Sequence, residues 1–374
     1  MPSRSPCRTL AVTAAAVSAL ALGLPAVADA APDHGGNGTF TVQQVNLVSD
    51  IPGAASLLDP DLVNPWGLAF NGGSPLWVSN NGTDTSTLYT SAPGTTTAAK
   101  VAAVRVTFPA GTGPNGQVAN GGTGFVLSNG TVSGPARFIF STDTGEIRAW
   151  NAQVDGPMGT AETKASVPGA GFSGLAIAPS ATGDHLYAAN QAQNSIDVFD
   201  STFQRVATAP SAFRDRRLPR DYAPFNVQNL GGQLFVSYAK VDRKTGVEIH
   251  RVGLGIVDEY TPDGVFVARI ASHQSLNAPW GMAIAPAEWG TLAGSLLVGN
   301  FGDGKISVIR AKTGGGFEHH IAGVLRDSTG RSLRIDGLWA LMPGTATMGG
   351  TNSIWFSAGL ADEQHGLLGV LRKP

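Results

Sequence analysis

Short apolar runs bounded by glycine, asparagine or proline recur along the chain from about residue 40 onward. "LWVSN" ends at Asn80, "LYAAN" at Asn190 and "LLVGN" at Asn300. Runs of this kind, rich in β-branched and aromatic residues and separated by turn formers, predict strands. No segment sustains the 3.6-residue apolar spacing of an amphipathic helix.

The runs also repeat. Gly67-Leu-Ala-Phe70, Gly174-Leu-Ala-Ile177 and Gly281-Met-Ala-Ile284 are spaced by 107 residues, and the three asparagines above by 110. Such a step suits two units of about 50 residues each. Weaker copies fall at the midpoints: "GFVLSNG" from Gly124, "FNVQNLGGQLFVSYAK" from Phe225 and "DGLWALMP" from Asp336. Six four-stranded units predict an all-β fold, a six-bladed β-propeller. The last unit runs out of chain after three strands. "FTVQQVNLVS" from Phe40 supplies the fourth, so an N-terminal strand is expected to close the ring and remove its open edge.

Pro65-Trp66-Gly67 and Pro279-Trp280-Gly281 mark the start of an innermost strand. Proline cannot donate to a ladder and suits a strand start. Glycine permits close approach near the axis. Trp66 and Trp280 are expected to pack between blades, with the lining of a ligand site as the competing role.

Ahead of the repeats, Arg4 and Arg8, the apolar segment Leu10–Leu24 and Ala28-Asp29-Ala30 read as a signal peptide over residues 1–30. A flexible N-terminus over 31–38 and a propeller domain over 39–374 follow. No other stretch approaches the ~20 apolar residues of a membrane helix. The expectation is a secreted, extracellular, monomeric protein with no membrane contact after cleavage. Its single cysteine, Cys7, leaves with the signal, so the core must hold the fold without disulfides. Charged residues are 14% of the chain, and the net charge of −2 argues against a nucleic-acid partner.

These residues resemble a family of secreted, uncharacterised bacterial propeller proteins. "NLVSD", "DPDLVNPWGLAF", "LWVSNNGT", "FIFSTDTGEI", "LNAPWGMAIAP", "LLVGNFGDGKI", "IDGLWAL" and "HGLLGV" carry the resemblance, which covers nearly the whole mature chain. It implies export and the propeller, and no established reaction. "GQVANGGTGFV" in the second unit departs most from the family pattern. More distantly the architecture is similar to NHL-type propellers, to lactonases that use a metal in the central channel, and to streptogramin lyases. None of their catalytic residues maps onto a motif here.

In such a blade, the loops between second and third strands share a face with the blade-to-blade connections. One rim should therefore gather Asn64, Trp66, Asn226, Trp280 and Asp336 from the blade starts. Asn80, Asn190, Asn300, Glu363 and His365 would join them from the second-to-third loops, with Asn81, Asp143 and Gln191 beside them. Asparagine and aspartate are also ordinary turn residues. The regular spacing of the strand-ending asparagines suits hydrogen bonds that stitch blades together. Arg214, Arg216, Arg217 and Arg220 lie in the connection into the fourth blade; with Asp215 and Asp221 interleaved they read as a self-paired loop, an anion site being the alternative.

Two functions are carried forward. The first is a non-catalytic binding or scaffold propeller holding a glycan, peptide or small molecule on the polar rim, with no cofactor. The second is a lactonase-like hydrolase or lyase with Ca²⁺ or another divalent cation in the channel, held by Asn80, Asn190, Asn300 and Asp336, with Glu363 or His365 as base. "GNFGDGKIS" lacks the Ser/Thr and the helix of a phosphate loop, and His319–His320 would point to opposite faces of a strand.

Overall fold

The computed structural model describes residues 40–374. The signal peptide and flexible N-terminus expected from the sequence lie outside them. Six antiparallel sheets stand around one axis. Their innermost strands are Pro65–Ala69, Pro114–Ala119, Phe172–Ser180, Tyr222–Leu230, Pro279–Ile284 and Leu338–Pro343, for blades 1 to 6 in order. Each blade continues outward through its second, third and fourth strands.

The sixth blade confirms the closure. Leu338–Pro343, Ser353–Gly359 and His365–Arg372 are followed by Gln43–Ser49, which pairs antiparallel with His365–Arg372 from Gln43 opposite Arg372 to Ser49 opposite Leu367. Leu47 and Val48 on this strand are fully buried. Burial of each contributes roughly 1.5–3 kcal/mol, so the ring is fastened by apolar contact as well as by the ladder.

The second blade needs a correction. Its inner strand is Pro114–Ala119, so Pro114-Asn115-Gly116 is the true copy of Pro65-Trp66-Gly67. "GFVLSNG" instead enters an inserted hairpin, Val126–Ser128 paired with Ser133–Pro135. Asparagine and glutamine replace the usual apolar residues in Pro114–Ala119, which hid the strand from a hydrophobic pattern.

Six hydrophobic clusters hold the ring, one in each gap between neighbouring blades. Toward the axis the inner strands approach backbone to backbone. A Cβ on Gly67 would overlap the Asn115 carbonyl, and one on Gly281 the Trp339 carbonyl, so glycine is required for contact rather than for its dihedral freedom. Asn226 takes the glycine position in blade 4 and uses its amide as a bridge: Nδ2 donates to the Trp280 carbonyl at 2.9 Å.

Candidate functional site

The axis is plugged by aromatics. The position just before that of Gly67 is held in blades 1, 4, 5 and 6 by Trp66, Phe225, Trp280 and Trp339, which meet there. Trp66 stacks on Trp339 with centroids 3.5 Å apart, and Phe301 covers the other face of that region at 3.9 Å from Trp339. Trp280 meets Trp339 edge-on at 5.7 Å and donates its indole N–H to the Ser173 carbonyl at 2.8 Å. Trp66 and Trp280 are only 3% and 4% exposed. They pack against one another at the axis rather than between two blades.

Below the plug, the channel holds a cavity of about 290 Å³ lined by Phe70, Gln117, Ile177, Gln228 and Met342 among others, with no charged side chain. Above it lies a mouth with the opposite character, and there the titratable groups gather.

A repeated local feature builds that mouth. In blades 1, 2, 3, 5 and 6 the N–H at the end of, or just past, the second strand bonds the carbonyl two residues before the position that Trp66 holds in blade 1: Asn81 to Asn64, Asp143 to Gly113, Gln191 to Gly171, Phe301 to Ala278 and Gly359 to Gly337. The preceding residue is buried. In blades 1, 3 and 5 it is Asn80, Asn190 or Asn300, each fully buried and engaged within its own blade. Asn80 donates to Thr85 and Thr87, Asn190 to Gln193 and Asp197, and Asn300 accepts from the Asn277 N–H at 2.9 Å. These asparagines stitch strands of one blade, not neighbouring blades. Side chains alternate along the chain, so the following residue is released toward the mouth.

Where this second position is small, a longer loop supplies the chemistry. Blade 4 has Ala239 there, and the loop before Gly255–Tyr260 brings in Glu248 and His250. Blade 6 has Gly359, and the turn after it brings in Glu363. That turn is strained: Ala361, Asp362 and Glu363 have φ of 52°, 52° and 66°, three successive non-glycine residues in the left-handed region. The Asp336 carboxylate accepts from the Ala361 N–H at 3.1 Å and supports it.

Glu363 is the centre of the site. Its Oε2 accepts from Asn64 Nδ2 at 2.7 Å, while Asn64 Oδ1 accepts the Trp339 indole N–H at 2.9 Å. A Cβ on Gly359 would collide with Asn64 Oδ1, so glycine makes room for this relay. Asn81 and Asn115 each donate to the Asp143 carboxylate, at 2.9 and 3.0 Å. Gln191 donates to Glu248 at 3.3 Å, and His250 lies 3.4 Å from the other Glu248 oxygen.

The electrostatics follow from this crowding. Burial, then the charges of Glu248 and Asp143, push the Glu363 carboxyl up to about 7 against the opposing Asn64 hydrogen bond and His250. Burial works to raise Glu248 too, but the His250, backbone and Gln191 hydrogen bonds prevail and hold it below its usual value. The hydrogen bond to Glu248 raises His250. The mouth thus sets Glu248 and His250, each biased toward its charged form, beside a carboxyl that readily gains or loses a proton near neutral pH.

The site residues expected from sequence separate into groups. Asn64 and Glu363 meet directly, and Asp336 supports the turn that carries Glu363. Trp66 and Trp280 form the floor, and Asn226 bridges two inner strands. Asn80, Asn190 and Asn300 are spent inside three different blades, so they and Asp336 do not converge on one point. His365 bonds Asp50 at 2.7 Å and shares no hydrogen bond with Glu363. Among the described residues, no group of three or more His, Cys, Asp or Glu is placed to hold a metal ion. No helix among them is long and apolar enough to cross a membrane.

Asn115, Glu248, His250 and Phe301 were not anticipated. Aligning Pro114-Asn115-Gly116 on Pro65-Trp66-Gly67 would have found the first, and the place of Phe301 directly after Asn300 the last. Glu248 and His250 sit in a loop with no local signature.

No family model matches the chain. An uncharacterized protein of Acanthamoeba polyphaga mimivirus is 34% identical over 344 residues, covering 89% of this chain and 81% of that protein. A second from the same virus is 33% identical over 332 residues, covering 87% and 84%. These relatives are viral, where the sequence pattern pointed to bacterial ones. Among solved structures, a protein of unknown function from Bacteroides thetaiotaomicron superposes with a TM-score of 0.51 at 11% identity, over 88% of this chain and 75% of that one. Virginiamycin B lyase from Staphylococcus aureus reaches 0.46 at 12% identity, over 89% and 99%. At such identities the likeness concerns the fold alone. The match to the two mimivirus proteins over most of each chain places this chain in their family, and its architecture is a six-bladed β-propeller closed by an N-terminal strand.

Proposed function

We propose that the protein is an exported, non-catalytic binding propeller that takes a small cationic ligand, such as an amino sugar or a peptide amine, in its axial mouth. The observation that carries this reading is Glu363, a carboxyl held up to about 7 by burial and by the charges of Glu248 and Asp143. A site with such surplus negative charge gains from a bound cation, which would draw the proton off Glu363. The amides of Asn81 and Gln191 supply further hydrogen-bonding groups nearby, and the aromatic plug gives a rigid floor. Residues 1–30 would direct export.

The test is calorimetric titration with glucosamine and with a lysine-containing dipeptide at pH 6.5, in buffers of different ionisation enthalpy. Binding should release a fraction of a proton, and Glu363→Gln should remove that release. Binding without proton release, or no difference from N-acetylglucosamine, would count against the reading. Export is checked by mass spectrometry of the N-terminus of secreted protein, expected near Ala31.

One observation favours a second reading, acid–base catalysis. Glu363 combines a proton poised near neutral pH with a strained turn, as general acids and bases do. Turnover of a lactone or ester panel, with a rate that titrates near pH 7 and vanishes in Glu363→Gln, would establish it.

A further inference from the structure

The arginine-bearing connection from Arg205–Val206 to Tyr222–Leu230 pairs with itself only through Asp215 and Arg217. Asp215, expected to neutralise its neighbours, turns inward: its side chain is 3% exposed and forms an ion pair with Arg269. Its other oxygen accepts the Arg217 backbone N–H at 2.8 Å, with the Arg217 guanidinium 3.8 Å away. Asp221 pairs with Lys240 at 2.9 Å, and the neighbouring Asp197 pairs with Arg205. Arg214, Arg216 and Arg220 are left exposed, with no ion pair or hydrogen bond from their guanidinium groups to any described residue.

This segment is also pinned. Phe213 has a left-handed φ of 52°, and its N–H donates to the Gly264 carbonyl at 2.8 Å. Its ring is held between Tyr187 and Tyr260, at 5.8 and 5.6 Å. Anchors at Phe213, Asp215 and Asp221 fix the backbone that displays the three free arginines. Beneath them is a cavity of about 410 Å³ whose walls include Thr208, Phe213, Arg214, Arg220, Tyr238 and Asp215, whose carboxylate is already paired with Arg269. It shares no lining residue with the axial mouth.

We infer that this is a second binding site, for a small organic phosphate or sulfate ester: the anionic head on Arg214 and Arg220, the organic body in the cavity beneath. Guanidinium groups match the oxygens of such anions with paired hydrogen bonds, and a fixed backbone limits the ordering cost of binding. The cavity wall combines hydroxyls with aromatic and proline surface, which suits a compact ring more than a bare ion. The site is independent of what the axial mouth does.

The experiment titrates the protein at physiological salt with p-nitrophenyl phosphate, p-nitrophenyl sulfate and inorganic phosphate. It is repeated with Arg214→Gln/Arg216→Gln/Arg220→Gln and with a charge-matched control, Lys312→Gln/Arg331→Gln/Arg334→Gln, from exposed positions elsewhere. Unchanged melting temperatures establish that both variants fold. Expected are saturable binding of at least one ester, at least tenfold tighter than inorganic phosphate, a tenfold or greater loss in the first variant, and a change under twofold in the control. Absence of saturable ester binding, equal loss in both variants, retention in the first, or inorganic phosphate binding as tightly as the esters would each overturn it.

Discussion

Replacing Glu363 by glutamine should stabilise the protein at alkaline pH, although Glu363 is hydrogen-bonded in the folded state. An ordinary glutamate titrates near 4.5, and the folded-state value is about 7. Between these values the folded protein binds more protons than the unfolded chain, so stability falls as pH rises through this window. The gap corresponds to roughly 3 kcal/mol, absent below about pH 4.5 and fully present above pH 7 to 8. Glutamine keeps an oxygen to accept from Asn64 Nδ2 but cannot ionise beside Glu248 and Asp143. Urea unfolding followed by tryptophan fluorescence at pH 4.5, 6 and 8 should give variant and wild type similar stability at the first. The variant should then gain progressively, by up to ~3 kcal/mol at the last. Asp258, raised to about 7 chiefly by burial, titrates in the same window but is common to both proteins and cancels in the comparison. Parallel pH profiles would refute the claim that burial and like charge hold the Glu363 proton.

Gly359→Ala should break the Trp339–Asn64–Glu363 relay by driving Asn64 Oδ1 out of place, costing about 1–3 kcal/mol in urea unfolding and altering tryptophan emission. Asn300→Ala leaves the Asn277 N–H without its acceptor inside a fully buried site and should cost about 1–3 kcal/mol, read as a lower melting temperature. Leu47→Asp places a charge on the buried face of the closing strand, and should lower the melting temperature sharply and raise aggregation as the ring edge opens, checked by light scattering.

Much of the fold was legible because a propeller repeats its instructions. The glycine of Gly67, Gly174 and Gly281 recurs because the next inner strand leaves no room for a Cβ, its backbone lying against Gly67 and Gly281 and the Asn226 amide against Gly174, and the asparagine of Asn80, Asn190 and Asn300 recurs because each must satisfy buried groups of one blade. The same regularity misled at the site. Recurrence marked these asparagines as candidate ligands, whereas a residue that recurs in blade after blade is serving the blade. The mouth is formed by the non-recurring neighbours, Asn81, Asp143, Gln191 and Phe301, and by the two loops that break the pattern.

The sequence by itself determined the number of blades, the order of strands outside the second blade and the closing role of the N-terminal segment, since apolar period and turn chemistry are local properties that add up along the chain. Only the tertiary structure decided that Glu248, 115 residues before Glu363, shares a mouth with it and with Asp143, and that Asp215 turns inward to Arg269. Burial and Coulomb interaction depend on distance through space. No one-dimensional pattern carries that distance until the ring has closed.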